Sequence, residues 1–408
     1  MRILYIDSKF ASPRAASHVR VAYFAQRLRE RGHDVTIVGR NAGKLELEGA
    51  RTAKGGLVTR GKLDGLDVLL LKIPYAQEFS KAGRVMSYGG FTSAASATAL
   101  TLGRFDLVVA SSSPLTIGLA GMTAARRSRA PWVFEIQDLW PALPIALGVL
   151  KGRREIQAAR WLERKLYESA ARVIVCSEGS GEAVRRLVPA EKVVLIPNIA
   201  DVEHFHPDVS DPELRDRYGF DGKFVAIYAG QMGITNGLDQ LVDAAVALRD
   251  RGESRVVIAA AGQGPERARL EERARGLETI VFLPDVPRDD IPKVVGAADA
   301  TITAFAPNPM LETNSPNKFF DSLAAGKPTI VNLNGWLRRL VEENRAGVYV
   351  PGDSGLALAE ALTDLAGKPE LVAEMGKNAR ALAEREFARE LLADRFADTL
   401  EAAAKRAS

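Results

Sequence analysis

Cysteine is almost absent from this chain: of 408 residues only Cys176 carries a thiol, in the apolar run RVIVCS. No disulfide can close within one chain, so a reducing compartment is expected and Cys176 reads as a small buried hydrophobe. Histidine is nearly as scarce, with four residues too scattered to hold zinc. No long apolar run is present either. Val85 to Gly103 and Leu107 to Ala125 are uncharged for 19 residues each, but the first is rich in Ser, Thr and Gly and the second is broken by SSSP. Neither is apolar enough to span a bilayer. The opening MRILYIDS turns polar after six residues, which predicts a first strand rather than a signal peptide and argues against export. The loop after it, SKFASPRAAS, lacks G-x-G-x-x-G, and G-x-x-x-x-G-K-[ST] occurs nowhere, so dinucleotide-oxidoreductase and P-loop readings lose support. An aromatic-interleaved basic stripe is also missing, and nucleic acid is not an expected partner.

What is present is alternation. Strand-like RILYIDS, HDVTIVG, DVLLLK, FDLVVAS, WVFEI, RVIVCS and KVVLIPN are separated by segments of helical period, among them HVRVAYFAQRLRERG, residues 115–128 and residues 153–170. After IPNIADVEHFHPD the alternation restarts with KFVAIYAG, RVVIAAAG, TIVFLP, ATITAF and PTIVNL, and the last 35 residues read as helices. This pattern predicts an α/β protein of two Rossmann-like, doubly wound parallel-sheet domains. The expected divisions are 1–200, 201–385 and a C-terminal helix over 386–408 that packs back on the first domain. Ligands of such sheets bind at the carboxyl ends of the strands, so function is expected in a cleft shared by the domains.

Charge is divided unevenly along the chain. Residues 1–200 hold 30 Lys and Arg against 17 Asp and Glu, a net of +13, whereas residues 201–408 carry a net of −9. A basic half points to an anionic partner such as a membrane surface or a phosphorylated lipid, although charge spread over a solvated surface explains it equally well.

Two glycine-bearing turns follow strands of the second half. AIYAGQMGITNGLDQL places Gly230, Gly233 and Gly237 between a strand and a helix, and VVIAAAGQGPERARLEE does the same for Gly262 and Gly264. Such turns bring backbone amides close to a diphosphate at a helix N-terminus, or serve tight packing of strand against helix. No two aspartates lie two positions apart, so the Asp-x-Asp pair that holds a divalent metal for a nucleotide diphosphate is absent and no metal is expected. Cations must then neutralise the phosphates, and Lys318 in ETNSPNKFFDSLAAGKP is the first candidate, with Arg14 and Arg20 behind it.

VVIAAAGQGPERARLEE, the linker through EKVVLIPNIADVEHFHP and NKFFDSLAAGKPTIVNLNG together resemble family 4 of the retaining glycosyltransferases, which have the GT-B fold. EIQDLWPALPIALG and SPNKFFDSLAAGKP look like the branch that attaches N-acetylated sugars, such as N-acetylfucosamine, to lipid-linked bacterial surface glycans. The resemblance implies a glutamate pair spaced by seven residues. Its second member falls on Asp321, to bond the ribose, and its first on Thr313, with Glu312 adjacent as a substitute. Between them, the resemblance implies, Asn317 and Lys318 occupy the segment whose amides face the diphosphate, with Asn314, Ser315 and Pro316 also binding the nucleotide sugar. Departures are expected where the family's phosphate-binding Arg and Lys correspond to Gln231 and Asn236, and where its first-loop glycines become Ala15 and Ala16. Gln137 stands where many relatives carry a histidine; Asp138 beside it is an acidic candidate or a helix N-cap.

The implied activity is hexosyl transfer from a nucleoside-diphosphate sugar co-substrate, UDP-linked, to a polyprenyl-diphosphate-linked glycan, without metal. The implied place is cytoplasmic, peripheral on the inner face of the membrane. The stretch KAGRVMSYGGFTSAASATALTLGR is the docking candidate or a plain surface helix. A sugar-nucleotide epimerase of the same architecture is the alternative.

Overall fold

The computed structural model describes residues 1–11, 20–41, 45–53, 55–75, 79–209 and 211–405. It falls into two compact units, Met1–Pro197 with Glu390–Ser408, and Asn198–Arg389.

The first unit is built on nine strands: β1 (Arg2–Asp7), β2 (Asp34–Arg40), β3 (Glu48–Ala53), β4 (Val58–Leu63), β5 (Leu66–Leu71), β6 (Leu107–Ser112), β7 (Trp132–Ile136), β8 (Arg172–Val175) and β9 (Val193–Leu195). They lie in the order β3-β4-β5-β2-β1-β6-β7-β8-β9. All pairs from β5 to β9 are parallel, and the β3–β4 and β4–β5 pairs are antiparallel. The central strands are apolar on both faces because helices cover both; all of β6 is buried. The β3–β4 hairpin was not expected. Its first strand, EGARTA, is exposed throughout, so no apolar face marked it in the sequence.

The uncharged stretch from Val85 lies in the helix Lys81–Thr101, which starts on a Ser80 side-chain cap. Phe91, Ala95 and Ala99 are buried, while Val85 and Met86 stand exposed at 61% and 76%. Thr92 Oγ1 donates to Thr116 Oγ1 at 3.0 Å, tying this helix to the start of the helix Ile117–Ser128. No helix among the described residues is long and apolar enough to cross a membrane. The helix Arg389–Lys405 lays Phe396 on Tyr5 and Phe24, with ring centroids 5.8 and 4.5 Å apart. Arg27 grips Asp394 with two hydrogen bonds, at 2.7 and 2.8 Å.

The second unit has six parallel strands: β10 (Phe224–Ala229), β11 (Val256–Ala261), β12 (Ile280–Phe282), β13 (Ala300–Thr303), β14 (Thr329–Val331) and β15 (Gly347–Tyr349), ordered β12-β11-β10-β13-β14-β15. On one face the buried side chains of β10, β11 and β13 pack with the helices Asp239–Asp250 and Gly355–Ala366. On the other, Val225, Ile227 and Val257 meet Leu214, Phe220 and Val294. Strand β15, three residues at an edge, carried too short an apolar signal to be read beforehand.

Candidate functional site

In the second unit the glycine turns and the helix Asn317–Ala324 converge at the carboxyl ends of β10 and β11. Gly230 N donates to Ala261 O at 2.9 Å and Met232 N to Gln263 O at 2.8 Å, so the turns after the two strands are laced together. Gly262 and Gly264 have φ of +141° and +156°, and a Cβ on either would overlap the carbonyl of Gly230 or Met232. Only glycine fits this backbone crossing. Gly233 and Gly237 flank the short turn Ile234–Asn236, and Asn236 is buried with its side-chain oxygen accepting from Gly233 N at 3.3 Å. Gln231 is exposed, and its carbonyl accepts the Tyr228 hydroxyl at 2.6 Å.

Lys318 enters this space from the first turn of its helix. Its ammonium donates to Tyr228 Oη at 2.6 Å and stands over the rings of Tyr228 and Phe305, 4.0 and 5.5 Å from their centroids. Gly230 keeps the position open, since a Cβ there would lie 3.0 Å from Lys318 Cε. No carboxylate among the described residues pairs with this amine, and burial pushes its pKa down to about 7. Burial also raises the Tyr228 phenol. An unpaired amine at a helix start, where first-turn amides also lack intrahelical acceptors, is a site prepared for an anion.

The preceding loop is held from behind. Thr313 Oγ1 donates to Met310 O at 2.8 Å, the Asn314 carbonyl accepts Trp336 Nε1 at 3.1 Å, and the Ser315 carbonyl accepts Asn198 Nδ2. Pro316 occupies the position before the helix and Asn317 is exposed. Glu312 sits in the turn Leu311–Thr313, its carboxyl raised by burial. Asp321, one turn along from Lys318, joins it around a small void of about 30 Å³ with Phe205 and Ile227.

In the first unit the carboxyl ends of β1, β6 and β7 gather a polar cluster that sequence reasoning largely missed. Glu135 is fully buried and accepts from Tyr5 Oη at 2.7 Å, Ser111 Oγ at 2.8 Å and Arg20 Nε at 2.7 Å. The remaining Arg20 nitrogens donate to the carbonyls of Ile196 and Pro197. Arg20 therefore does not present the cation to a phosphate that its sequence position suggested; every edge of its guanidinium is committed inside the unit. Gln137 Nε2 donates to Ser111 Oγ at 2.8 Å and reaches Asp7 Oδ2 at 3.4 Å. Burial pushes the Asp7 carboxyl up to about 6, against the hydrogen bond from Lys9 N. Asp138 accepts from Ser113 Oγ at 2.7 Å and lies 3.7 Å from Lys9 Nζ. It caps no helix, because Pro141 holds the position before the helix Ala142–Ala146. Asp7 and Glu135 end or close strands in apolar context, and the only sequence signal for them was a lone acid in a buried run. Arg14, Ala15 and Ala16 lie outside the described residues. Among those described, no cluster of three His, Cys, Asp or Glu side chains could hold a metal.

Two Rossmann-like domains with parallel sheets make this a GT-B fold, and the solved structures agree. Sucrose-phosphate synthase from Thermosynechococcus elongatus superposes with a TM-score of 0.75 at 18% identity over 100% of both chains. HepE of Anabaena, solved in complex with UDP and glucose, gives 0.71 at 19% identity over 98% of this chain and 100% of that one. Residues 16–199 match the glycosyl transferase 4-like domain and residues 210–382 match the glycosyl transferases group 1. Among curated relatives, α-D-kanosaminyltransferase of Streptomyces kanamyceticus is 26% identical over 59% of this chain and 62% of its own length. The colanic acid biosynthesis glycosyl transferase WcaI of Escherichia coli, a putative assignment by its own name, is 28% identical over 52% of this chain and 53% of its own. The chain thus matches little more than half the length of these relatives.

Proposed function

We propose that this chain is a retaining glycosyltransferase that moves an N-acetylated hexosamine or deoxyhexosamine from a UDP-linked donor to a lipid-linked glycan acceptor, without a metal. The observation that carries the reading is Lys318: an amine with no carboxylate partner among the described residues, desolvated and set beside Gly230 at the start of a helix. A diphosphate would bring it the negative charge it lacks and lift its pKa well above neutrality. The complex of HepE with UDP and glucose supports a UDP-linked donor, and the colanic acid biosynthesis in the name of WcaI supports a glycan acceptor.

In the step we assign, the bond from the sugar's anomeric carbon to the diphosphate oxygen breaks and a bond from the same carbon to the acceptor hydroxyl oxygen forms on the same face. The acceptor's proton passes to the departing diphosphate. The protein's part is electrostatic stabilisation of the leaving group by Lys318 and the helix start, with positioning of the reactants. Asp321 holds the ribose, Glu312 stands in for the carboxylate missing at Thr313, and Gln137 and Asp138 meet sugar or acceptor hydroxyls. The basic first unit and exposed Val85 and Met86 support docking on the inner, anionic face of a membrane.

A thermal-shift panel of sugar nucleotides tests the donor, because a ligand bound only by the folded state raises Tm. Transfer, followed by NMR of the new anomeric centre, should persist in EDTA with retained configuration. Donor incubated alone should return unaltered; an altered sugar would make the protein an epimerase instead. Lys318→Ala should lower kcat by roughly 10²-fold, the scale of losing one donor to developing charge. Unchanged kcat in a folded variant would overturn the assignment.

A further inference from the structure

The second unit carries a cavity of about 540 Å³ at the opposite end of its sheet from Lys318. Phe224 begins β10, while Asp299 and Pro328 immediately precede β13 and β14, so the cavity opens at the amino ends of three adjacent strands. The six residues of β10 separate it from the glycine turns by roughly 20 Å of strand. Its second wall is the helix Pro369–Leu382, whose Val372, Ala373 and Lys377 face it. The helix is drawn in by a glycine pair: a Cβ on Gly376 would stand 2.5 Å from the Gly326 carbonyl.

The cavity is apolar through Phe224, Leu365 and Val372, but its charges do not balance. Both acids are already engaged. Asp299 accepts from Val225 N at 2.8 Å and pairs with Arg215 at 3.4 Å, and Glu384 pairs with Arg380 at 2.6 Å. Arg380 is committed further to the carbonyls of Val202, Phe205 and Ala324. Two lysines remain. Among the described residues Lys327 Nζ donates once, to Gly296 O at 2.8 Å, although an ammonium has three donors. Burial lowers its pKa, with Asp299 opposing and Arg215 adding to the effect. Lys377 has no hydrogen-bond or ion-pair partner among the described residues, and it is exposed at the rim.

We propose that this cavity is a second binding site, separate from the donor site, for a small organic anion: a carboxylate or phosphate on Lys327 and Lys377 with an apolar body against Phe224, Leu365 and Val372. The volume falls in the range of small-molecule pockets, and a few polar groups in an apolar lining are what fix a ligand's orientation. The proposal stands whether or not the donor reading holds, since it shares no residue with that site.

Phenyl phosphate and benzoate, titrated calorimetrically against the full chain, are the probes. Both should bind with Kd in the millimolar range or tighter. Lys327→Gln should weaken them about tenfold, the effect of losing one charge-assisted hydrogen bond. Ala373→Trp, which fills the cavity from an exposed position, should abolish binding while leaving UDP binding unchanged, and Lys318→Ala should leave both probes bound. Phenyl phosphate alone binding would assign the site to phosphates, and benzoate alone to carboxylates. No binding of either probe, binding that survives Ala373→Trp, or binding lost in Lys318→Ala would overturn the proposal.

Discussion

At the scale of single residues, a buried and a half-buried cation have opposite fates. Arg20 has its charge answered by Glu135 and two carbonyls, so removing one partner leaves the other stranded. Glu135→Ala should cost about 3–5 kcal/mol of stability in urea unfolding, while Arg20→Met combined with Glu135→Leu should cost clearly less. An equal loss in the double variant would show that the pair itself, and not the stranded charge, sets the cost. Lys318 has no carboxylate answering it among the described residues, and its folded pKa of about 7 lies below the unfolded lysine value of about 10.4. Between those values the unfolded chain binds the proton and the folded chain does not, so this group makes stability rise with pH. Lys318→Met should therefore look most favourable relative to the parent below about pH 7, and its relative advantage should vanish as pH approaches 10. Urea midpoints for both proteins at three pH values measure it; parallel curves would refute a depressed amine.

At the scale of elements, the crossing of the two glycine turns sets where backbone and Lys318 meet. Gly262→Ala combines an unfavourable φ with an overlap on the Gly230 carbonyl, and it should destabilise the chain by at least about 2 kcal/mol. If the variant keeps its stability yet loses donor affinity, the glycine serves the ligand rather than the packing. Legibility in the sequence also divides by element. Runs such as FDLVVAS and RVVIAAAG were readable because a parallel strand covered on both faces is apolar without interruption. EGARTA was not, because an edge strand exposed on both faces has no apolar period at all. The helix Asn317–Ala324 was readable from its proline-broken approach and FF pair, both rings fully buried in the structure.

At the scale of the whole molecule, the net +13 of the first 200 residues is long-range and needs no particular contact to act. The full chain should co-sediment with vesicles containing anionic lipid at low ionic strength, release as salt rises, and ignore neutral vesicles. Absence of binding at low salt would remove the membrane from the proposed function. The sequence by itself determined the two-sheet architecture, because period and alternation are local properties, and it singled out Lys318, because the segment around it matches a motif. Tertiary structure alone decided what each charge faces. It turned Arg20 inward onto Glu135, joined Asp7 to Gln137 at the ends of strands 130 residues apart in the chain, and left Lys318 without a counter-ion among the described residues. The physical reason is that desolvation and pairing depend on neighbours brought together by the fold, and no spacing along the chain records them.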